Sequence, residues 1–168
     1  MARVINLRKQ SKFLLLLLLG ALLASCDGSL SHSYRSVGGA WHRADTLVFD
    51  QLFEWEGPNP TELFAGVRYS ASYPYKNLCL LVEVVSGCDS VFQRDTLCCD
   101  LYDDDGRRNG ATAGTLYQSE YFVSSVNIPY YEPFKIRLSH LMSDSLLQGV
   151  YDVGVRLASP CRHLPSRK

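Results

Sequence analysis

The sequence predicts an all-β protein, an antiparallel β-sandwich of jelly-roll or Greek-key type with one short helix near 139–147. Three observations carry this. From Trp41 onward, short runs rich in Val, Leu, Phe and Tyr recur at steady spacing, the composition of a pleated, half-buried surface. Within runs, residues alternate close to period two: Leu47, Phe49, Gln51, Phe53 and Trp55 interleave with Val48, Asp50, Leu52 and Glu54. Clusters of Gly, Pro, Asn and Asp then close the runs, and their backbone preferences turn the chain.

In chain order, residues 1–25 come first and read as a lipoprotein signal peptide. Arg3, Arg8, Lys9 and Lys12 precede an uncharged apolar tract over 13–25. At about 1.5 Å per helical residue that tract spans roughly 20 Å, short of a bilayer core of about 30 Å. A basic start before a short apolar stretch is the pattern of a cleaved signal. Leu23-Ala24-Ser25-Cys26 resembles the lipobox of bacterial lipoproteins, which implies acylation of Cys26. Several acyl chains hold a bilayer well, at about 0.8 kcal/mol per buried methylene. The small, polar residues 26–40 read as a lipid-anchored tether that lifts the domain off the surface.

The domain itself is assigned to 41–160 and a C-terminal tail to 161–168. Strands are expected at 47–55, 63–70, 77–85, 91–102, 115–126, 134–138 and 150–158. Gly57-Pro58-Asn59-Pro60, Ser86-Gly87, Asp103-Asp104-Asp105-Gly106 and Asn109-Gly110 supply the turns. Ser139-His140-Leu141-Met142-Ser143-Asp144-Ser145-Leu146-Leu147 breaks the rhythm, with Leu138, Leu141, Met142 and Leu146 near one helical face. A mature chain from Cys26 would keep 13 basic against 17 acidic residues, a net charge of −4. Such a balance provides no phosphate-binding stripe, so nucleic acid is not an expected partner.

Asp103-Asp104-Asp105-Gly106 invites calcium, but an EF-hand loop centred on Gly106 would need ligands where Leu101 and Thr112 stand. A looser site on Asp100, Asp103 and Asp105 ranks below an exposed turn. His32, His42, His140 and His163 lie far apart with no Cys-x-x-Cys, so no metal is expected. No Gly-x-Ser-x-Gly elbow is present, and no catalytic residue is assigned. Tyr69, Tyr73, Tyr75, Tyr102, Tyr117, Tyr121, Tyr130, Tyr131 and Tyr151, with Trp41 and Trp55, either pack in the sheets or line a glycan or peptide platform.

Cys79, Cys88, Cys98, Cys99 and Cys161 remain besides Cys26. If 77–85 and 92–100 pair as a hairpin, the register that opposes Glu83 and Arg94 also opposes Cys79 and Cys98, within disulfide reach. An odd count of thiols argues the other way, for free buried cysteines acting as small apolar residues, and that reading ranks first.

Tyr73-Pro74-Tyr75-Lys76-Asn77-Leu78 resembles the GldH family of gliding-motility lipoproteins of Bacteroidota. Asp95-Thr96, Leu101-x-Asp103-x-x-Gly106 and Leu146-x-x-Gly149-Val150-Tyr151-Asp152-Val153-Gly154 follow in the family's order. With the lipobox, the resemblance covers nearly all of 20–157. Two positions depart from it, Tyr131-Glu132-Pro133-Phe134 and Met142-Ser143. The resemblance implies a cell-envelope lipoprotein with no enzymatic activity and no cofactor. Its partners are then the membrane, through the lipid, and other envelope or gliding-machinery proteins. Asp27 is followed by Gly28-Ser29-Leu30, not by the acidic cluster of surface-exported lipoproteins in this phylum, so the expected place is the periplasmic face of the outer membrane. The rival class is a glycan- or peptide-binding module.

Overall fold

The computed structural model describes residues 29–51, 57–130 and 132–160. The signal peptide, Cys26, Leu52–Glu56, Tyr131 and the tail from Cys161 lie outside the described residues, as does the expected strand beyond Gln51. Eleven strands and no helix are found among the described residues. They are β1 (Ser29–Ser36), β2 (Ala40–His42), β3 (Leu47–Gln51), β4 (Thr61–Ser70), β5 (Asn77–Ser86) and β6 (Val91–Asp100). Then come β7 (Ala111–Ala113), β8 (Leu116–Val126), β9 (Phe134–His140), β10 (Leu146–Gln148) and β11 (Val150–Ala158).

Every pairing is antiparallel. One sheet runs β1-β11-β4-β8-β7, a second β3-β9-β5-β6, and β10-β2 form a two-stranded ribbon. Period two fixes which side chains meet. On β4, Leu63, Ala65, Val67 and Tyr69 point inward while Glu62, Phe64, Arg68 and Ser70 are half-buried. On β5, Leu78, Leu80, Val82 and Val84 face them, joined by Phe134, Ile136 and Leu138 of β9 and by Trp41 of β2 in one core. Each such side chain contributes about 1.5–3 kcal/mol by leaving water. The arrangement fits a β-sandwich.

Two expectations need correction. The helix near 139–147 is absent. Ser139 and His140 instead continue β9 against Leu81 and Leu80 of β5, and the Leu141 N–H donates to the Cys79 carbonyl at 2.8 Å. Leu146–Gln148 then pairs with β2. The ladder on β5 satisfies the backbone that a helix would have bonded internally, and Leu141 is left exposed.

The tether reading of 26–40 fails over Ser29–Ser36, which forms β1 along the edge of β11, Ser36 opposite Asp152 and Tyr34 opposite Gly154. Composition misleads here because β1 gains little from apolar burial. It is held by ladder hydrogen bonds and by one aromatic ring, that of Tyr34.

Candidate functional site

The loops at one end of the sheets, where β4 leaves and β5 begins, collect most of the family-motif positions. Ser70 closes β4 with a turn: the Tyr73 N–H donates to the Ser70 carbonyl at 3.2 Å and the Ser72 N–H to Ser70 Oγ at 3.3 Å. This drops Tyr73 back onto the core, 3% exposed, edge-on to Tyr69 and Tyr75. Its hydroxyl donates to the Asn77 carbonyl at 2.8 Å. Gly149 lies beneath at φ 85°, and a Cβ there would sit 2.7 Å from the Tyr73 backbone. Only glycine fits that contact and that dihedral.

Opposite, the Lys76 carbonyl accepts the Leu101 and Tyr102 N–H groups at 2.9 and 3.2 Å, extending the β5–β6 hairpin past its strands. Asp103 Oδ1 accepts the Arg107 N–H at 2.7 Å, and Gly106 supplies a φ of 76°. Between the Tyr73–Lys76 loop and the Tyr102–Gly106 turn lies an open depression of about 430 Å³.

The polar groups lining it are already engaged. Tyr75 Oη donates to Asp144, Tyr102 Oη to the Tyr73 carbonyl at 3.3 Å, and Lys76 Nζ to Asp104 at 2.7 Å. That last bond holds the Asp104 carboxyl below its usual range and raises the Lys76 ammonium. Burial pushes the Tyr73 phenol up, and the bond to Asp144 does the same for Tyr75. Each shift takes its group further from neutral pH. Asp105 pairs with Arg107 at 3.2 Å, and no group of three His, Cys, Asp or Glu able to hold a metal occurs among the described residues.

The remaining motif positions lie elsewhere. Asp95 Oδ2 accepts from Gln93 at 2.8 Å and from Ser124 at 2.7 Å, stitching β6 of one sheet to β8 of the other. Thr96 is exposed opposite Leu81, and nothing in the structure explains it. Leu78 is fully buried. Asp152 faces Arg68 at 3.8 Å. Gly154 is needed because a Cβ there would lie 2.7 Å from the Tyr34 ring.

Around Tyr34 is a cluster the sequence reading missed. Its ring lies over Gly66 and Gly154, with the Arg68 guanidinium 4.2 Å above it. Arg68 donates to Gln118 at 2.8 Å. Arg156 grips Glu120 through three contacts of 2.6–3.0 Å and lies 4.0 Å over the Phe64 ring. Two glycines inside apolar strand runs, Gly66 and Gly154, were the available signal, since such glycines mark close approach. Of the histidines described, His140 is buried against Trp41, ring centres 5.1 Å apart, and His32 lies 5.1 Å from Tyr34.

Cys79 faces Cys98 across the hairpin, and Glu83 faces Arg94. The two sulfurs are bonded, with Cα atoms 4.1 Å apart, so for this pair the free-thiol reading that ranked first is replaced by the bridge. Cys99 is free and buried, Cys88 free and exposed.

These elements define an all-β antiparallel domain with an aromatic-walled depression at one end. The GldH lipoprotein family model matches residues 29–157, beginning with β1 and ending in β11, and the chain belongs to that family. The gliding motility lipoprotein GldH of Flavobacterium johnsoniae is 30% identical over 153 residues, covering 85% of this chain and 93% of its own. The GldH homolog of Christiangramia forsetii is 28% identical, covering 81% of this chain and 88% of its own.

Among solved structures, the infectious bursal disease virus VP2 subviral particle matches at 7% identity with a TM-score of 0.33, and the Gx strain structure at 12% and 0.30. The chain spans about a third of those viral chains, 34% of each. At such scores the likeness carries no argument.

Proposed function

We propose that this chain is a lipid-anchored, non-catalytic component of the bacterial cell envelope that works by binding other envelope proteins of the gliding machinery. Acylated Cys26 holds it on the periplasmic face of the outer membrane. Family membership supports the envelope address and the motility role. The observation favouring a protein partner over a glycan is the state of the depression. Tyr73, Tyr75, Tyr102 and Lys76 already direct their donors into the protein, whereas a sugar site needs convergent polar groups open to the ligand. Aromatic rings flanked by an exposed ion pair are the composition of a protein-contact surface.

The scaffold we infer is a jelly-roll sandwich. Numbering β1, β3, β4, β5, β6, β8, β9 and β11 as strands one to eight, the sheets read 1-8-3-6 and 2-7-4-5, which supports two interlocked Greek keys.

Purification of the native protein from gently solubilised membranes tests the reading. One or more envelope proteins should co-purify in constant ratio, and Tyr75→Ala with Lys76→Glu should reduce their yield. A chain that elutes alone and binds immobilised glycans would establish the rival module instead.

A further inference from the structure

β1 begins at Ser29, three residues after Cys26. Three Cα steps of at most about 3.8 Å put the acylated residue within about 11 Å of Ser29. No spacer of useful length intervenes, so the end of the fold that carries Ser29 is held against the lipid.

Register identifies that end. Ser29 pairs with Ala158, Ala158 with Glu62, and the neighbouring Thr61 with Val126. From the second sheet the β5–β6 turn reaches the same end, where the Gly87 N–H donates to the Pro133 carbonyl in the segment between β8 and β9. The Tyr73–Gly106 depression occupies the opposite end, one ten-residue strand away, roughly 33 Å at about 3.3 Å per residue.

Exposed apolar side chains gather toward the Ser29 end. Among the described residues the large ones are Leu30, Val91, Phe92, Phe122, Tyr130, Leu141 and Tyr151. The first five lie in the half nearer Ser29, with Leu30 43% and Tyr130 51% exposed. The acid of the β5–β6 turn there, Asp89, is bound by Arg137 at 2.6 Å and Lys135 at 3.4 Å. Leu, Phe and Tyr side chains exposed at one end of the fold match the chemistry of the lipid headgroup layer, where amphipathic rings sit.

We propose that this rim seats directly on the bilayer, with Leu30, Phe92 and Tyr130 in the interfacial layer, so that the domain stands upright and presents the depression outward. The proposal rests on acylation of Cys26. The lipid anchor supplies attachment, and the rim supplies orientation.

The test uses the mature protein purified from its own membranes and placed in phosphatidylethanolamine–phosphatidylglycerol nanodiscs containing a lipid with a gadolinium-chelating headgroup. Amide signals of Leu30, Phe92 and Tyr130 should disappear with gadolinium and return with a diamagnetic lanthanide, while those of Tyr75, Lys76 and Gly106 keep their intensity. Uniform attenuation, or loss at Tyr75 and Gly106 with Leu30 retained, overturns the seating. Mass spectrometry of the amino-terminal peptide from the same sample separates two failures. An unacylated peptide removes the anchor and the seating with it, whereas an acylated peptide with uniform attenuation removes the seating alone.

Discussion

Gly149 combines a φ of 85° with a Cβ position 2.7 Å from the Tyr73 backbone, whereas Gly106, at φ 76°, has nothing within 4 Å. Gly106→Ala should cost about 1 kcal/mol, the left-handed penalty alone. Gly149→Ala adds a clash with backbone that cannot swing away, and should cost at least about 2 kcal/mol. Urea midpoints of the two variants check this, and equal losses would show that Tyr73 is not seated as described.

His140 gives a pH dependence. Burial pushes its pKa below 6.5, against a smaller pull from the Trp41 backbone. As pH falls below 6.5 the unfolded chain takes up a proton that the folded chain resists, so stability is full above that value and declines below it. His140→Leu should remove that part of the slope in denaturation curves between pH 7.5 and 5, and an unchanged slope would contradict the assignment. Burial also raises the Cys99 thiol to about 12. Iodoacetamide at pH 8 should therefore label Cys88 in the folded protein and Cys99 only after unfolding.

At the scale of the element, β1 is the instructive case. Apolar runs closed by turn residues made β4, β5, β9 and β11 legible, and buried positions alternate most regularly along β9, where Phe134, Ile136 and Leu138 interleave with Lys135, Arg137 and Ser139. Ser29–Ser36 has no such stripe, and its pairing with β11 is a long-range event that no local window contains. The same holds for the three-residue strands β2, β7 and β10. Around 138–146 two periods competed, since Leu138 and Leu141 fit a helix while Leu138 and His140 fit a strand. The open side of β5 decided between them.

Removing 29–36 from the folded domain should lower the thermal midpoint by many degrees, because β11 would lose a full ladder and Gly66 and Gly154 their Tyr34 cover. A midpoint within a degree or two of the parent would restore the tether reading. In the neighbouring hairpin, Cys79→Ala with Cys98→Ala opens a bridge of sequence separation 19, and should cost about 3 kcal/mol by chain entropy. Denaturant midpoints in oxidising and reducing buffer give that figure directly.

For the whole molecule, the candidate site was half legible. The turn vocabulary of Tyr73–Leu78 and Asp103–Gly106 was readable, but that these loops meet across the top of one hairpin required the β5–β6 register, and that Gly149 lies under Tyr73 required the closure of β11 on β4. The Tyr34–Arg68–Arg156–Glu120 face was not legible, because its members come from four strands. The proposed orientation is polar, with lipid at the Ser29 end and a protein partner at the Tyr73 end. In-cell photocrosslinking with a benzoylphenylalanine placed at Tyr75 or at Tyr130 distinguishes the two ends. Position 75 should give a discrete protein adduct and position 130 lipid-sized adducts. Protein adducts from Tyr130 with none from Tyr75 would contradict that orientation.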